Sequence, residues 1–248
     1  MNIETLYKKK SCVFSIECFP PKQAASYEQM QQTLRRMAGL SPDFISVTYG
    51  AGGSAGGVST VEIADYLKNT LHVEPMAHLI CMGSDRAGTA AALAALEKAG
   101  VENVLALRGD ETPLRPKNPD FRHASDLMEF IRTEAPAVCY AGACYPEGHP
   151  ESESPAADVE NLKYKQAAGA GFLISQLFFD NNQYYRFLNR ARKAGLTLPV
   201  SAGVMPIVKK TQIERTVALS SASLPPKFTK MISRYQNDEQ ALFDAGID

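Results

Sequence analysis

The sequence predicts an α/β protein, a TIM-type (β/α)8 barrel whose eighth strand is absent from the chain. Short β-branched and aromatic runs alternate with longer helical patterns seven times. Most of the runs are nearly continuous in apolar residues, as expected of parallel strands covered on both faces. The repeat is about 30 residues, the size of one βαβ unit. The full length of 248 residues matches the roughly 250 that such a barrel typically needs. With no break in composition, residues 1–248 are expected to form one domain.

The predicted strands are 13–18, 44–48, 75–81, 103–107, 137–144, 172–178 and 198–203. Helical patterns occupy 27–37, 60–69, 84–99, 124–133, 157–168, 183–194 and 211–219. Several stop at a glycine (Gly39, Gly100, Gly169, Gly195), which suits a left-handed C-terminal cap. Residues 1–10 are polar and lead straight into the first strand. After the seventh helix come a short helix reaching Tyr235 and a further helical pattern in 237–248, with no eighth strand. A barrel left open would expose two unpaired edges, which natural sheets avoid. The expectation is therefore a chain truncated at its C-terminal end.

Composition narrows the function. A net charge of −1 gives no field that would favour nucleic acid or an anionic membrane, and no apolar run approaches the roughly 18 residues of a membrane span. The five cysteines form no C-x-x-C pair. They sit in or beside apolar runs and read as buried free thiols in a reducing compartment, so the cytoplasm is expected. No H-x-x-H or H-E-x-x-H pattern points to a metal.

A parallel barrel carries its chemistry at the C-terminal ends of its strands, and these ends are rich in polar groups. They read Glu17-Cys18-Phe19-Pro20-Pro21, Thr48-Tyr49-Gly50-Ala51-Gly52-Gly53, His78, Arg108-Gly109-Asp110, Tyr145-Pro146-Glu147-Gly148-His149-Pro150, Gln176 and Met205-Pro206. Glu17 lies inside an apolar strand, where a carboxylate must be paired or catalytic. Asp110 could equally pair with Arg108, His78 could be a satisfied core histidine, and His149 could be turn chemistry. Gly50-Ala51-Gly52-Gly53-Ser54-Ala55 fits the dinucleotide fingerprint G-x-G-x-x-A. It follows the second strand, however, and no acid closes the next strand to hold a ribose. A Rossmann site is therefore rejected.

These strand ends, in this order, resemble the methylenetetrahydrofolate reductase family. The similar stretches include Val47-Thr48-Tyr49-Gly50-Ala51, Leu107-Arg108-Gly109-Asp110, Gln176-Leu177-Phe178-Phe179-Asp180 and Gly203-Val204-Met205-Pro206. The resemblance implies a barrel that binds FAD, takes hydride from NADH or NADPH, and reduces methylenetetrahydrofolate to methyltetrahydrofolate. It makes Glu17 the general acid that opens the methylene bridge and Asp110 a carboxylate beside both flavin and pterin. Gln176 and Gln212 become folate contacts, and Thr60 lies at the nicotinamide and flavin face. Flavin contacts carry over to His78, Arg108, Gly109, Asp110, Ala124, Tyr145, His149, Asp158, Asn161 and Lys165. Asp158, Asn161 and Lys165 are spaced to share one helix face; without the resemblance they would read as a solvated surface.

Two departures stand out: the loop 52–59 lacks the charged residues many members carry, and the last strand is missing. Two other readings stay open, a pterin-binding methyltransferase barrel without FAD and a non-catalytic subunit completed by a partner. A homo-oligomer or a complex with a partner subunit is expected.

Overall fold

In a computed structural model of the protein, residues 1–21, 23, 26–49, 58–113, 115–116, 120–209, 212 and 222–247 are described. Their contacts divide the chain into two units, Met1–Gly142 with Lys165–Phe172, and Ala143–Tyr164 with Leu173–Asp248.

The first unit opens with a helix where the sequence predicted a polar lead-in: α1, Glu4–Lys9. Six residues are too few for a helix to hold itself in water, so packing must fix it. Ile3 and Leu6 are buried, the Tyr7 ring lies 4.7 Å from that of Phe172, and the Ile3 N–H donates to Asn103 Oδ1 at 2.9 Å. The Met1 ammonium pairs with Glu74 and Glu102. This segment thus docks at the N-terminal ends of the third and fourth strands, the face that a barrel uses for stability.

The strands of this unit are β1 (Ser15–Cys18), β2 (Phe44–Val47), β3 (Pro75–Ile80), β4 (Asn103–Leu107) and β5 (Cys139–Cys144), whose last two residues pass into the second unit. Each pairs in parallel with the next. Between them run α2 (Tyr27–Ala38), α3 (Thr60–Asp65), α4 (Arg86–Lys98) and α5 (Ala124–Glu134). The helix predicted at 60–69 widens at Tyr66–Thr70 into a π-helical turn. Leu34 of α2 and Ile63 of α3 pack with Leu67 onto Ile45 and Val47. Every residue of β2 is buried, and three of its four are apolar, as expected of a parallel strand covered on both faces.

In the second unit, β6 (Leu173–Ser175) and β7 (Val200–Ser201) are parallel, with Leu173 opposite Val200. Among the described residues four helices contribute: α6 (Pro155–Ala167, which enters the first unit at Lys165), α7 (Asn181–Lys193), α8 (Pro226–Tyr235) and α9 (Glu239–Ile247). Val159, Leu162, Phe187, Ala191 and Leu196 bury Leu173 and Cys144. At Gly203 a Cβ would stand 2.3 Å from the Ser175 carbonyl oxygen, so the chain after β7 crosses β6 at a distance only glycine allows.

Only β4 keeps its predicted bounds; the other six strands are shorter than the sequence predicted, β6 and β7 most of all. The strand at 172–178 ends at Ser175 because the Leu177 N–H turns onto the side-chain oxygen of Gln176. The strand at 198–203 contracts to Val200–Ser201. Cys18, Cys81, Cys139 and Cys144 are buried thiols, as expected, whereas Cys12 is exposed. The loop 50–55 and, apart from Gln212, the helix at 211–219 lie outside the described residues. Parallel strands alternating with helices, seven strands and no eighth among the described residues, make this a (β/α) barrel fold. No described helix is long and apolar enough to cross a membrane.

Candidate active site

Glu17 is the penultimate residue of β1, paired in register with Ser46 of β2. Two strands away, the His78 ring on β3 is 6% exposed, and its Nε2 lies 3.6 Å from Glu17 Oε2. That Nε2 is buried without a hydrogen-bond partner. Both groups are pushed toward their neutral forms by loss of water: the Glu17 carboxyl is raised above the usual carboxylate value, and the imidazole falls to about 4. Glu17 keeps 45% of its side-chain surface open to solvent. The carboxyl is therefore partly desolvated while still reachable from solvent.

The other predicted residues of the first unit gather at the same strand ends. The chain after β4 runs beside that after β3, with the Met82 N–H donating to the Arg108 carbonyl at 2.8 Å. Gly109 has φ +82°, and a Cβ there would press on Ile80 and Met82 at 3.3–3.4 Å. This turn leaves Asp110 exposed just beyond β4, while Arg108 Nε donates to the Gly109 carbonyl. Thr60 is buried at the start of α3, and its hydroxyl donates to the Thr48 carbonyl at 2.9 Å. Ser59 and Glu62 form the capping box of that helix. Ala124 is buried at the start of α5, where the Asp126 carboxylate accepts the His123 N–H.

In the second unit the loop after β5 folds on itself. Tyr145 and His149 stack edge-on at 4.7 Å, and His149 Nδ1 accepts the Glu151 N–H at 3.1 Å. Asp158 is 6% exposed; the Ser152 hydroxyl donates to its Oδ1 at 3.0 Å, while Oδ2 is buried with no donor. Asn161 and Lys165 follow on α6, exposed and half-buried respectively. Gln176 directs Oε1 to the Leu177 N–H at 2.8 Å, so its amide N–H groups are the end suited to a ligand. Gln212 Oε1 accepts the Val208 N–H at 3.0 Å.

Some residues of these strand-end loops carry no sequence signal. Arg115 lays its guanidinium over the Tyr49 ring at 5.5 Å. Ser152, six positions before Asp158, belongs to no motif.

Residues 2–248 match the family model described as methylenetetrahydrofolate reductase. The chain is 34% identical to a probable methylenetetrahydrofolate reductase (NADH) of Oryza sativa subsp. japonica, over 95% of this chain and 42% of that protein. Against a 5,10-methylenetetrahydrofolate reductase of Pectobacterium carotovorum subsp. carotovorum it is 32% identical, over 91% and 74%. Against a probable methylenetetrahydrofolate reductase (NADPH) of Caenorhabditis elegans it is 31% identical, over 100% and 38%. The chain thus spans about two fifths of the length of the plant and animal relatives. A solved structure, an uncharacterized protein from Clostridium thermocellum that binds two copies of 5-methyl-5,6,7,8-tetrahydrofolic acid, superposes with a TM-score of 0.71. It is 14% identical and covers 100% of this chain and 85% of its own, so it bears on the fold alone. The strand-end motifs and the match over nearly the whole length lead to one conclusion: the chain belongs to the methylenetetrahydrofolate reductase family.

Proposed function

We propose that this chain is the catalytic barrel domain of an enzyme that reduces methylenetetrahydrofolate to methyltetrahydrofolate, with NADH or NADPH as the reductant. The observation that carries the proposal is Glu17: a carboxyl at a strand end, biased toward its protonated form by burial and still reachable from solvent. From there it delivers a proton to the folate nitrogen that leaves the methylene carbon. The C–N bond breaks, and the resulting iminium accepts hydride at carbon. Asp110, exposed beyond β4, supplies negative charge that stabilises this cation. Gln176 offers its amide N–H groups to the pterin.

FAD is the cofactor that the family implies, and the residues of this chain fit it. Asp158 Oδ2 is a buried acceptor without a donor, a costly state that a ligand hydroxyl would relieve. By the family's pattern, Asp158 and Asn161 would hold a ribose, Lys165 would face phosphate, and Tyr145 and His149 would contact the ring system. When bound, FAD relays hydride from nicotinamide to folate. A pterin-binding methyltransferase would leave the Asp158 acceptor without a purpose. The relatives' names include both NADH and NADPH, and either nicotinamide fits this reading. The deciding experiment is anaerobic reduction and reoxidation of the FAD-loaded protein, nicotinamide first and folate second.

A further inference from the structure

The Glu17–His78 pair has an unused half. His78 Nε2 is enclosed, has no hydrogen-bond partner, and points at a carboxyl oxygen 3.6 Å away. That separation is just beyond hydrogen-bond length, and such contacts commonly tighten only when the reacting complex forms. Backbone pairing holds the two side chains in place. Glu17 is in register with Ser46, and Val47 with Ala77, which puts His78 one residue further along β3.

The tautomer follows from what must happen to the proton. A bare Nε2 would accept the acid proton of Glu17 and keep it from the folate. Once that proton had left, it would turn a lone pair toward a carboxylate. An Nε2–H avoids both problems: it donates to Oε2 while the acid proton sits on Oε1, and it donates more strongly as charge develops on the carboxylate. An interaction that strengthens along the reaction lowers the barrier, and not merely the ground state.

Resting on the reading of Glu17 as the acid, we propose that His78 is a positioning residue, a neutral imidazole whose Nε2–H holds Glu17 Oε2 and turns Oε1 toward the folate. Burial accounts for the shifts of both groups. The neighbouring Cys18 thiol stays neutral, pushed up to about 12 by burial and by Glu17.

The test is nitrogen NMR on protein labelled in its histidines, of which there are four. The His78 signals are identified by their loss in His78→Phe, or in His78→Gln should the first fail to fold. The expected result at neutral pH is a protonated Nε2 with a bare Nδ1, both shifting as Glu17 titrates and both losing that step in Glu17→Gln. A bare Nε2, or signals indifferent to Glu17→Gln, would overturn the proposal. This readout needs neither FAD nor folate. Expected signals in a protein that cannot reduce folate would sink the functional reading and leave the positioning intact. In the active enzyme, His78→Gln keeps an amide donor and should retain at least about 10-fold more kcat for folate reduction than His78→Phe, with similar KM.

Discussion

The Ser152 hydroxyl donates to Oδ1 of Asp158 at 3.0 Å and leaves Oδ2 buried without a donor. An unmet buried acceptor costs the free protein about 1–3 kcal/mol, and a ligand hydroxyl that meets it recovers that cost on binding. Asp158→Asn should therefore weaken FAD binding by about 10- to 100-fold without lowering the thermal midpoint of the FAD-free protein. Fluorescence titration with FAD and a melting curve check both halves. Unchanged affinity would remove Asp158 from the cofactor site.

Glu17→Gln should abolish most folate reduction, by about 10²–10⁴-fold, while the nicotinamide half-reaction continues. Rapid-mixing measurements of the two halves separate the effects. Equal damage to both would make Glu17 structural.

Burial of His78 makes stability depend on pH, and its sign is fixed. Its pKa falls from 6.5 to about 4 on folding, so between these values the unfolded chain binds the extra proton and stability drops as pH falls. The raised pKa of Glu17 acts in the opposite sense, so the comparison belongs in a Glu17→Gln background. There, adding His78→Phe should flatten the loss between pH 6.5 and 4, which amounts to at most about 3 kcal/mol. Denaturant titrations across this range measure it, and parallel curves would contradict it.

Gly203→Ala should destabilise the second unit, since the new Cβ would meet the Ser175 carbonyl at 2.3 Å. Overpacking of this kind costs about 1–3 kcal/mol. Because Gln176 directly follows Ser175, the KM for folate should rise as the thermal midpoint falls. A variant as stable as its parent would mean that the crossing is loose.

The strands of the first unit were legible because most carry an apolar run, as in residues 104–107 of β4. The short ends were not. Val200–Ser201 sits in a longer apolar stretch that continues past its last hydrogen bond. The helix α1 is held by Ile3, Tyr7 and Asn103, contacts that no local pattern encodes. The site was legible as a set of strand ends, because barrel topology dictates where polar residues collect. Its pairings were hidden. Glu17 and His78 meet through the register of three strands, and Ser152 reaches Asp158 through a loop without repeat or motif.

Reduction of folate through bound FAD is tested most directly under anaerobic conditions. FAD-loaded protein is bleached with NADH or NADPH, freed of excess nicotinamide, and mixed with methylenetetrahydrofolate. The proposed function predicts that the flavin colour returns as an equimolar amount of methyltetrahydrofolate appears. Flavin that stays bleached in the presence of folate, or protein that takes up FAD and is reduced by neither nicotinamide, would contradict the assignment.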